Sequence, residues 1–150
     1  MTALCLPMLA GAENDLKLVT SGGEAGSQVT LSIDLENDVD IIVFGATLVL
    51  PDGVSIVMFG EDNDIAFQQT GRAENKDAPG GIQSDYTQCA VSGRDVTLRY
   101  LPFPLKLARG TIVSGRGTVL TAQLQIDKNL EPGKYDILLK DIYMQTWGHI

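Results

Sequence analysis

From residue 14 onward, apolar and polar residues alternate along most of the chain with a period of two. The clearest run extends from Gln28 to Leu35, where every second residue is apolar. This is the period of a β-strand with one buried face, whereas an amphipathic helix repeats about every 3.6 residues. The pattern therefore predicts strands, and it contains no helical segment long enough to build a βαβ unit.

Turn-forming residues separate the alternating runs. Segments 21–26, 51–53, 92–95, 115–117 and 132–133 are rich in Gly, Pro, Ser or Asp, which favour turns. In segment 51–53, Pro51 is expected at the second turn position and Gly53 near the end. About nine short strands result, a number typical of an all-β sandwich or barrel. Segment 60–81 is polar and charged, and it is predicted to form a long loop or a loosely attached hairpin.

The alternation also predicts which side chains form the core. Ten apolar residues are expected to face inward between two sheets. They are Leu31, Ile33, Leu35, Leu48, Leu50, Leu98, Leu124, Ile126, Ile137 and Leu139.

The first twelve residues have features of a secretory leader. They are uncharged and mostly apolar, too short to span a bilayer, and they end in Ala10-Gly11-Ala12, a pattern that signal peptidase cleaves. A basic n-region is missing, so we interpret residues 1–12 as part of a signal peptide and residues 13–150 as one domain; a first strand or a tail is the alternative. The prediction is a secreted or cell-surface protein without a membrane-spanning segment. Loss of Cys5 leaves Cys89 unpaired, as a small buried thiol.

Charge and residue types argue against several classes of function. Nineteen acidic residues against eleven basic ones leave a net charge of −8, which repels nucleic acid. The single histidine, His149, lies next to the C-terminus, so no catalytic triad and no cluster with metal-ligand spacing is predicted. The acidic segment 60–64 lacks the later ligands of an EF-hand loop and is interpreted as a solvated turn. A chance pair of carboxylates suited to glycoside hydrolysis stays open, but an enzyme is the least favoured class, and no cofactor is predicted.

Four segments together carry a resemblance to a known family. They are GGEAGSQVTLSIDLEND, ATLVLPDGVSI, GRGTVLTAQLQI and LEPGKYDILLKDIYM. In this order and spacing they resemble the cohesin-like modules of secreted and surface proteins of Bacteroidetes, over most of residues 14 to 146. The matching positions are Asn37, Leu50, Pro51, Gly53, Val54, Gly115, Gly117, Gly133, Tyr135, Ile137 and Leu139. These are turn and core residues, so the resemblance identifies a fold and not a site.

The resemblance implies a nine-stranded jelly-roll β-sandwich, related to carbohydrate-binding modules of families 2 and 3. It further implies docking of a dockerin-like protein or a glycan outside the cell, within a glycan-degrading or surface assembly. The loop before Gly81 and the Leu-Pro-Phe-Pro segment at 101–104 are where family members differ most. Binding specificity is therefore not carried over.

Three functions stay open: a protein-docking module, which we favour, a carbohydrate-binding module, and a structural spacer. A glycan platform needs two or three coplanar exposed rings, for which Tyr100, Phe103, Tyr143 and Trp147 are available. The predicted binding residues are Tyr100, Leu101 and Phe103, with Trp147 from the aromatic set. Two prolines keep this segment out of a central strand and stiffen its apolar anchors. The alternative is that Leu101 and Phe103 cap the open end of the sandwich.

Overall fold

The computed structural model of the protein describes residues 2–3, 14–63, 65–70, 72–73, 87–101 and 111–146, and these ranges contain ten β-strands and no helix. The strands are β1 (Thr2–Ala3), β2 (Asp15–Thr20), β3 (Gln28–Asn37), β4 (Val43–Val49), β5 (Val54–Ile56), β6 (Gln68–Gln69), β7 (Thr87–Ser92), β8 (Asp95–Tyr100), β9 (Gly115–Ile126) and β10 (Asp136–Gln145).

The strands form two sheets. The first, here the β10 sheet, has the order β1-β10-β4-β8-β7, and the second, here the β9 sheet, has the order β2-β3-β9-β5 with β6 also paired to β9. β2 and β3, and likewise β7 and β8, are consecutive in the chain, whereas neighbours such as β3 and β9 are distant in it because the chain crosses repeatedly between the two sheets. The fold is a jelly-roll β-sandwich, which confirms the predicted class. Apart from the two-residue β1, the nine strands match the predicted number.

The core lies between the two sheets and contains all ten residues predicted to face inward. Their exposed fractions range from 0% to 4%. Phe44 on β4 and Tyr100 on β8 stack there, with ring centroids 5.2 Å apart and planes 18° apart. Full burial of one large apolar side chain stabilises a fold by roughly 1.5–3 kcal/mol, so this layer is the main source of stability.

The tight turn predicted at residues 51–53 is present with a different alignment. The Val54 amide donates to the Pro51 carbonyl at 3.2 Å, which makes Pro51 the first residue of the turn and not the second. Gly53 is the third residue and has a φ of +86°, a conformation that favours glycine at this position of a turn. A side chain at position 53 would also lack room, since a Cβ on Gly53 would lie 2.6 Å from Leu130 Cδ1.

The segment after β5 is attached to the sandwich more closely than its polar composition predicts. Phe59 and Ile65 exchange backbone hydrogen bonds of 2.7 and 3.1 Å. β6 then pairs with β9, where Gln69 aligns with Leu120. Phe67 is fully buried, so one aromatic side chain and a short strand anchor part of the segment for which the sequence predicts a long loop or a loosely attached hairpin.

Arg72 ties the same segment to the ends of β3 and β9. Its Nη1 donates to the carbonyls of Leu35 at 2.5 Å and Gly117 at 3.3 Å, and its Nη2 donates to Asn37 Oδ1 at 2.7 Å and the Val113 carbonyl at 2.9 Å. We call Arg72, Asn37 and their backbone acceptors the Arg72 cluster. Burial lowers the pKa of Arg72 from its ordinary value, but an arginine stays charged at neutral pH.

The rest of the Arg72 cluster explains the Gly-x-Gly at the start of β9. Asn37 is 3% exposed, and its Nδ2 donates to the carbonyls of Val39 at 2.8 Å and Ile112 at 3.1 Å. Gly115 and Gly117 have φ values of +148° and +137°. A Cβ on Gly117 would lie 3.3 Å from Arg72 Cδ, so these glycines leave room for the arginine.

Candidate functional site

The four predicted binding residues fall into different environments. Tyr100 is fully buried, and its ring stacks on Phe44, so the ring belongs to the core and offers no surface to a partner. Leu101 is partly buried. Phe103 and Trp147 lie outside the described residues. Binding by the Leu-Pro-Phe-Pro segment therefore stays a prediction.

The outer face of the β9 sheet is polar along β3 and β9, where the side chains bind one another. Four cross-strand hydrogen bonds with donor–acceptor distances of 2.6–3.2 Å join β3 to β9. The pairs are Gln28 with Gln125, Thr30 with Gln123, Asp34 with Thr118, and Glu36 with Arg116. A partner on this face would have to compete with these bonds, which makes the face a poor docking surface.

The outer face of the β10 sheet, here the β10 face, is different. Its register forms three rows of side chains across the sheet. The rows are Leu138–Val49–Asp95–Ser92, Lys140–Thr47–Thr97–Ala90, and Tyr143–Gly45–Arg99–Gln88. Leu138 is 43% exposed and Tyr143 is 39% exposed. Leu138 and Tyr143 thus stand beside smaller residues of β4 on the outer face of the sheet.

The charges on the β10 face are unequally paired. Lys140 Nζ lies 3.7 Å from Asp95 Oδ2, and both side chains are about half exposed. Arg99 is exposed, and it forms no hydrogen bond or ion pair with any residue that the structure describes. Among the residues that the structure describes, Arg99 is therefore a cation of this face that can meet an acidic group of a partner.

A β-bulge in β10 places Tyr143 on this face. The register shifts so that Asp141–Ile142 together stand opposite Ala46. Asp141 has a φ of +54°, in the left-handed region used by the first residue of one bulge type. Tyr143 consequently aligns with Gly45, and a Cβ on Gly45 would lie 2.5 Å from three atoms of the Tyr143 side chain. The ring therefore lies directly over the glycine.

A cavity of about 330 Å³ opens between the turn at residues 23–25 and the segment 130–133. Val54, Ile126 and Leu130 form its apolar walls, and Glu24 and Glu131 stand at its edge. Its size is at the lower end of small-molecule pockets.

The described residues contain little reactive chemistry. They include no group of three His, Cys, Asp or Glu residues placed to hold a metal ion. Cys89 is partly buried, and burial raises the pKa of its thiol to about 11, so the thiol is protonated and weakly nucleophilic at neutral pH. In the same parts of the chain, no helix is long and apolar enough to cross a membrane.

Comparisons with known proteins identify the fold. No protein-family model matches the chain, and no curated protein sequence matches it. Solved structures do match. A non-cellulosomal cohesin from the hyperthermophilic archaeon Archaeoglobus fulgidus has a TM-score of 0.64 at 12% identity, over 92% of this chain and 81% of that one. The cohesin CaCohA2 from Clostridium acetobutylicum has a TM-score of 0.68 at 10% identity, over 91% of this chain and 81% of that one.

A third similar structure was solved with a partner. The sixth cohesin of scaffoldin B from Acetivibrio cellulolyticus, in complex with the Cel5 dockerin, has a TM-score of 0.68 at 14% identity, over 93% of this chain and 90% of that one. Identities this low show the fold alone. The protein has the jelly-roll fold of cohesins, as predicted, while a source in the Bacteroidetes stays a prediction.

Proposed function

We propose that the protein is a non-catalytic docking module that binds a dockerin-like protein through the β10 face. The observation that carries this proposal is the contrast between the two outer sheet faces. On the outer face of the β9 sheet, polar side chains of β3 and β9 bind one another and Val19 on β2 is the exposed apolar side chain among the described residues, whereas the β10 face exposes the larger Leu138 and Tyr143 together on one strand. The proposed setting is outside the cell, within a glycan-degrading or surface assembly.

The β10 face has the composition of a protein interface. The exposed apolar groups on β10 would be desolvated by a partner, and such residues carry most of the affinity in measured interfaces. Lys140 stands between Leu138 and Tyr143 on β10, and the small residues Thr47, Thr97 and Ala90 continue its row across the neighbouring strands. Solved complexes of similar fold, such as the Acetivibrio cellulolyticus cohesin with its dockerin, support a partner of the dockerin class.

A glycan platform receives less support. Six aromatic residues are described, and three of them, Phe44, Phe67 and Tyr100, are fully buried. Phe59 and Tyr135 are partly buried, and Tyr143 is exposed. One exposed ring among the described residues does not form the row of rings that sugar stacking needs, so we propose no second function.

The test uses a display library of natural dockerin modules and two matched variants. Leu138 on the β10 face and Val19 on the β9 sheet are both 43% exposed, so replacing each with Asp adds one charge at equal exposure. We expect the library to yield modules that bind the wild-type protein, and Leu138→Asp to weaken their binding at least 30-fold. Val19→Asp should change it less than about threefold.

Two outcomes would overturn the proposal. One is a library in which no module binds the folded wild-type protein. The other is binding that Val19→Asp abolishes and Leu138→Asp leaves intact, since this would place the interface on the β9 sheet.

A further inference from the structure

The strand β10 changes its inward-facing positions halfway along its length. Ile137 and Leu139 are buried in the core, and a regular strand would continue with residues 141 and 143. Instead, Ile142 and Met144 pack against the core. The single extra residue of the bulge at Asp141–Ile142 causes this change, and without it the Tyr143 side chain would point into the sandwich.

The bulge is held in an unfavourable conformation. Asp141 has a φ of +54°, where a side chain crowds the backbone and glycine is the usual residue. Strain of this kind persists where the surrounding structure enforces it, and it is concentrated at functional sites. β-Bulges similarly re-aim side chains next to such sites.

The surface opposite the bulge is shaped to receive the ring. Gly45 is the residue of β4 that aligns with Tyr143, and any Cβ there would overlap the ring edge at 2.5 Å. Tyr143 is nevertheless 39% exposed as a residue. One face of the tyrosine therefore rests on the sheet, and the remainder is available to a partner at little cost in side-chain entropy.

We infer that the bulge serves to present Tyr143, and that Tyr143 seated on Gly45 is the specificity-determining anchor of the β10 face. This inference rests on the docking function proposed above and names the chemistry of the partner. The partner module has a shallow apolar hollow that receives the phenol ring. Arg99 lies in the same row as Gly45 and Tyr143, so the hollow is flanked by a carboxylate that pairs with Arg99.

A purely structural role predicts different behaviour. An aromatic ring over a strand glycine can stabilise the sheet by shielding its backbone. In that case Tyr143→Ala lowers the unfolding free energy and leaves the affinity of the folded protein unchanged. Measuring both quantities on each variant separates the two roles.

The experiment is a double-mutant cycle on Gly45 and Tyr143, with modules that bind the wild-type protein as the probe. Tyr143→Ala is expected to weaken binding at least 30-fold, and Tyr143→Phe less than about threefold, because the ring is retained. Gly45→Ala is expected to weaken binding about tenfold by displacing the ring, which lies at the end of the side chain and can shift without unfolding the sheet. In the Tyr143→Ala background, Gly45→Ala should weaken binding further by less than about twofold.

Arg99→Gln tests the partner's carboxylate. It should weaken binding at low salt and reduce the dependence of affinity on salt concentration. Urea unfolding of every variant confirms that the folded state is being compared.

The inference fails if Tyr143→Ala and Gly45→Ala both bind like the wild type while Leu138→Asp does not, and the docking function then still stands. It also fails if the two Gly45→Ala effects are equal with and without the ring. Absence of any binding module overturns the docking function itself.

Discussion

Replacing Arg72 with alanine removes four hydrogen bonds that hold the segment after β6 against β3 and β9. The four hydrogen bonds do not contribute equally to stability. The bond to the Val113 carbonyl is exposed, and water can replace it. The bonds to the Leu35 carbonyl and to Asn37 Oδ1 are partly buried, and Asn37 itself is 3% exposed. A hydrogen bond to a charged group contributes roughly 1.5–3 kcal/mol.

Two such bonds stabilise the fold, but desolvation of the arginine offsets part of their contribution. We therefore expect Arg72→Ala to lower the unfolding free energy by about 3 kcal/mol. Urea denaturation followed by circular dichroism measures it. Arg72→Lys keeps the charge but not the planar guanidinium group, so it should lower the unfolding free energy by more than half of the loss expected for Arg72→Ala.

Arg116→Ala is the matched control. Arg116 lies 3.2 Å from Glu36, and these side chains are 81% and 57% exposed, so their ion pair is worth less than about 0.5 kcal/mol. The reasoning is refuted if the unfolding free energy of Arg72→Ala lies within about 0.5 kcal/mol of the wild-type value. It is also refuted if Arg116→Ala lowers the unfolding free energy as much as Arg72→Ala does. Faster hydrogen exchange of the Thr70 amide, which donates to the Val119 carbonyl, should accompany the loss.

Three further predictions address the core, the thiol and the N-terminus. Leu124→Ala should cost roughly 2–5 kcal/mol in urea unfolding, since Leu124 is fully buried; a smaller loss would contradict the core assignment. The Cys89 pKa rises from 9.0 to about 11 on folding, so the unfolded chain loses the proton first. Stability from this group is then constant below pH 9 and falls as the pH rises through 9 to 11, a slope that Cys89→Ala should remove. Intact-mass measurement of the secreted product should show a chain that begins after Ala12, without β1; retention of Met1 would contradict the signal-peptide prediction.

The sandwich and its core follow from local pattern. Period-two alternation assigns each apolar residue of a strand to one face, and burying that face is the largest favourable term in folding. Leu31, Ile33 and Leu35 on β3 are all fully buried for this reason. The order of the strands in each sheet does not follow from local pattern, because the pairing of β3 with β9 joins residues more than 70 positions apart, such as Asn37 and Gly115. Nothing local to either strand specifies that pairing.

The Arg72 cluster shows a second limit of local pattern. Arg72 stands in a polar, charged segment, where an arginine is expected to be solvated. Its partly buried partners lie on β3 and on β9, and an exposed one is the backbone carbonyl of Val113. The available signal was Gly115 and Gly117, two glycines that face the same side of a strand and leave a groove there. A groove indicates that something fills it but not which residue does.

The position of Tyr143 could have been found from the sequence by a stricter use of alternation. In β10, Leu139 must face inward, and a regular strand would then bury Asp141 and Tyr143 while exposing Ile142. Burying an unpaired carboxylate costs far more than burying an isoleucine gains. A bulge of one residue resolves the conflict by exposing Asp141 and returning Ile142 to the core. It also turns the next residue outward, so the bulge that exposes Asp141 presents Tyr143 at the surface as well. Two adjacent charged residues, here Lys140 and Asp141, within an otherwise alternating strand thus indicate a bulge, and the residue two positions after the second charge is the one it exposes.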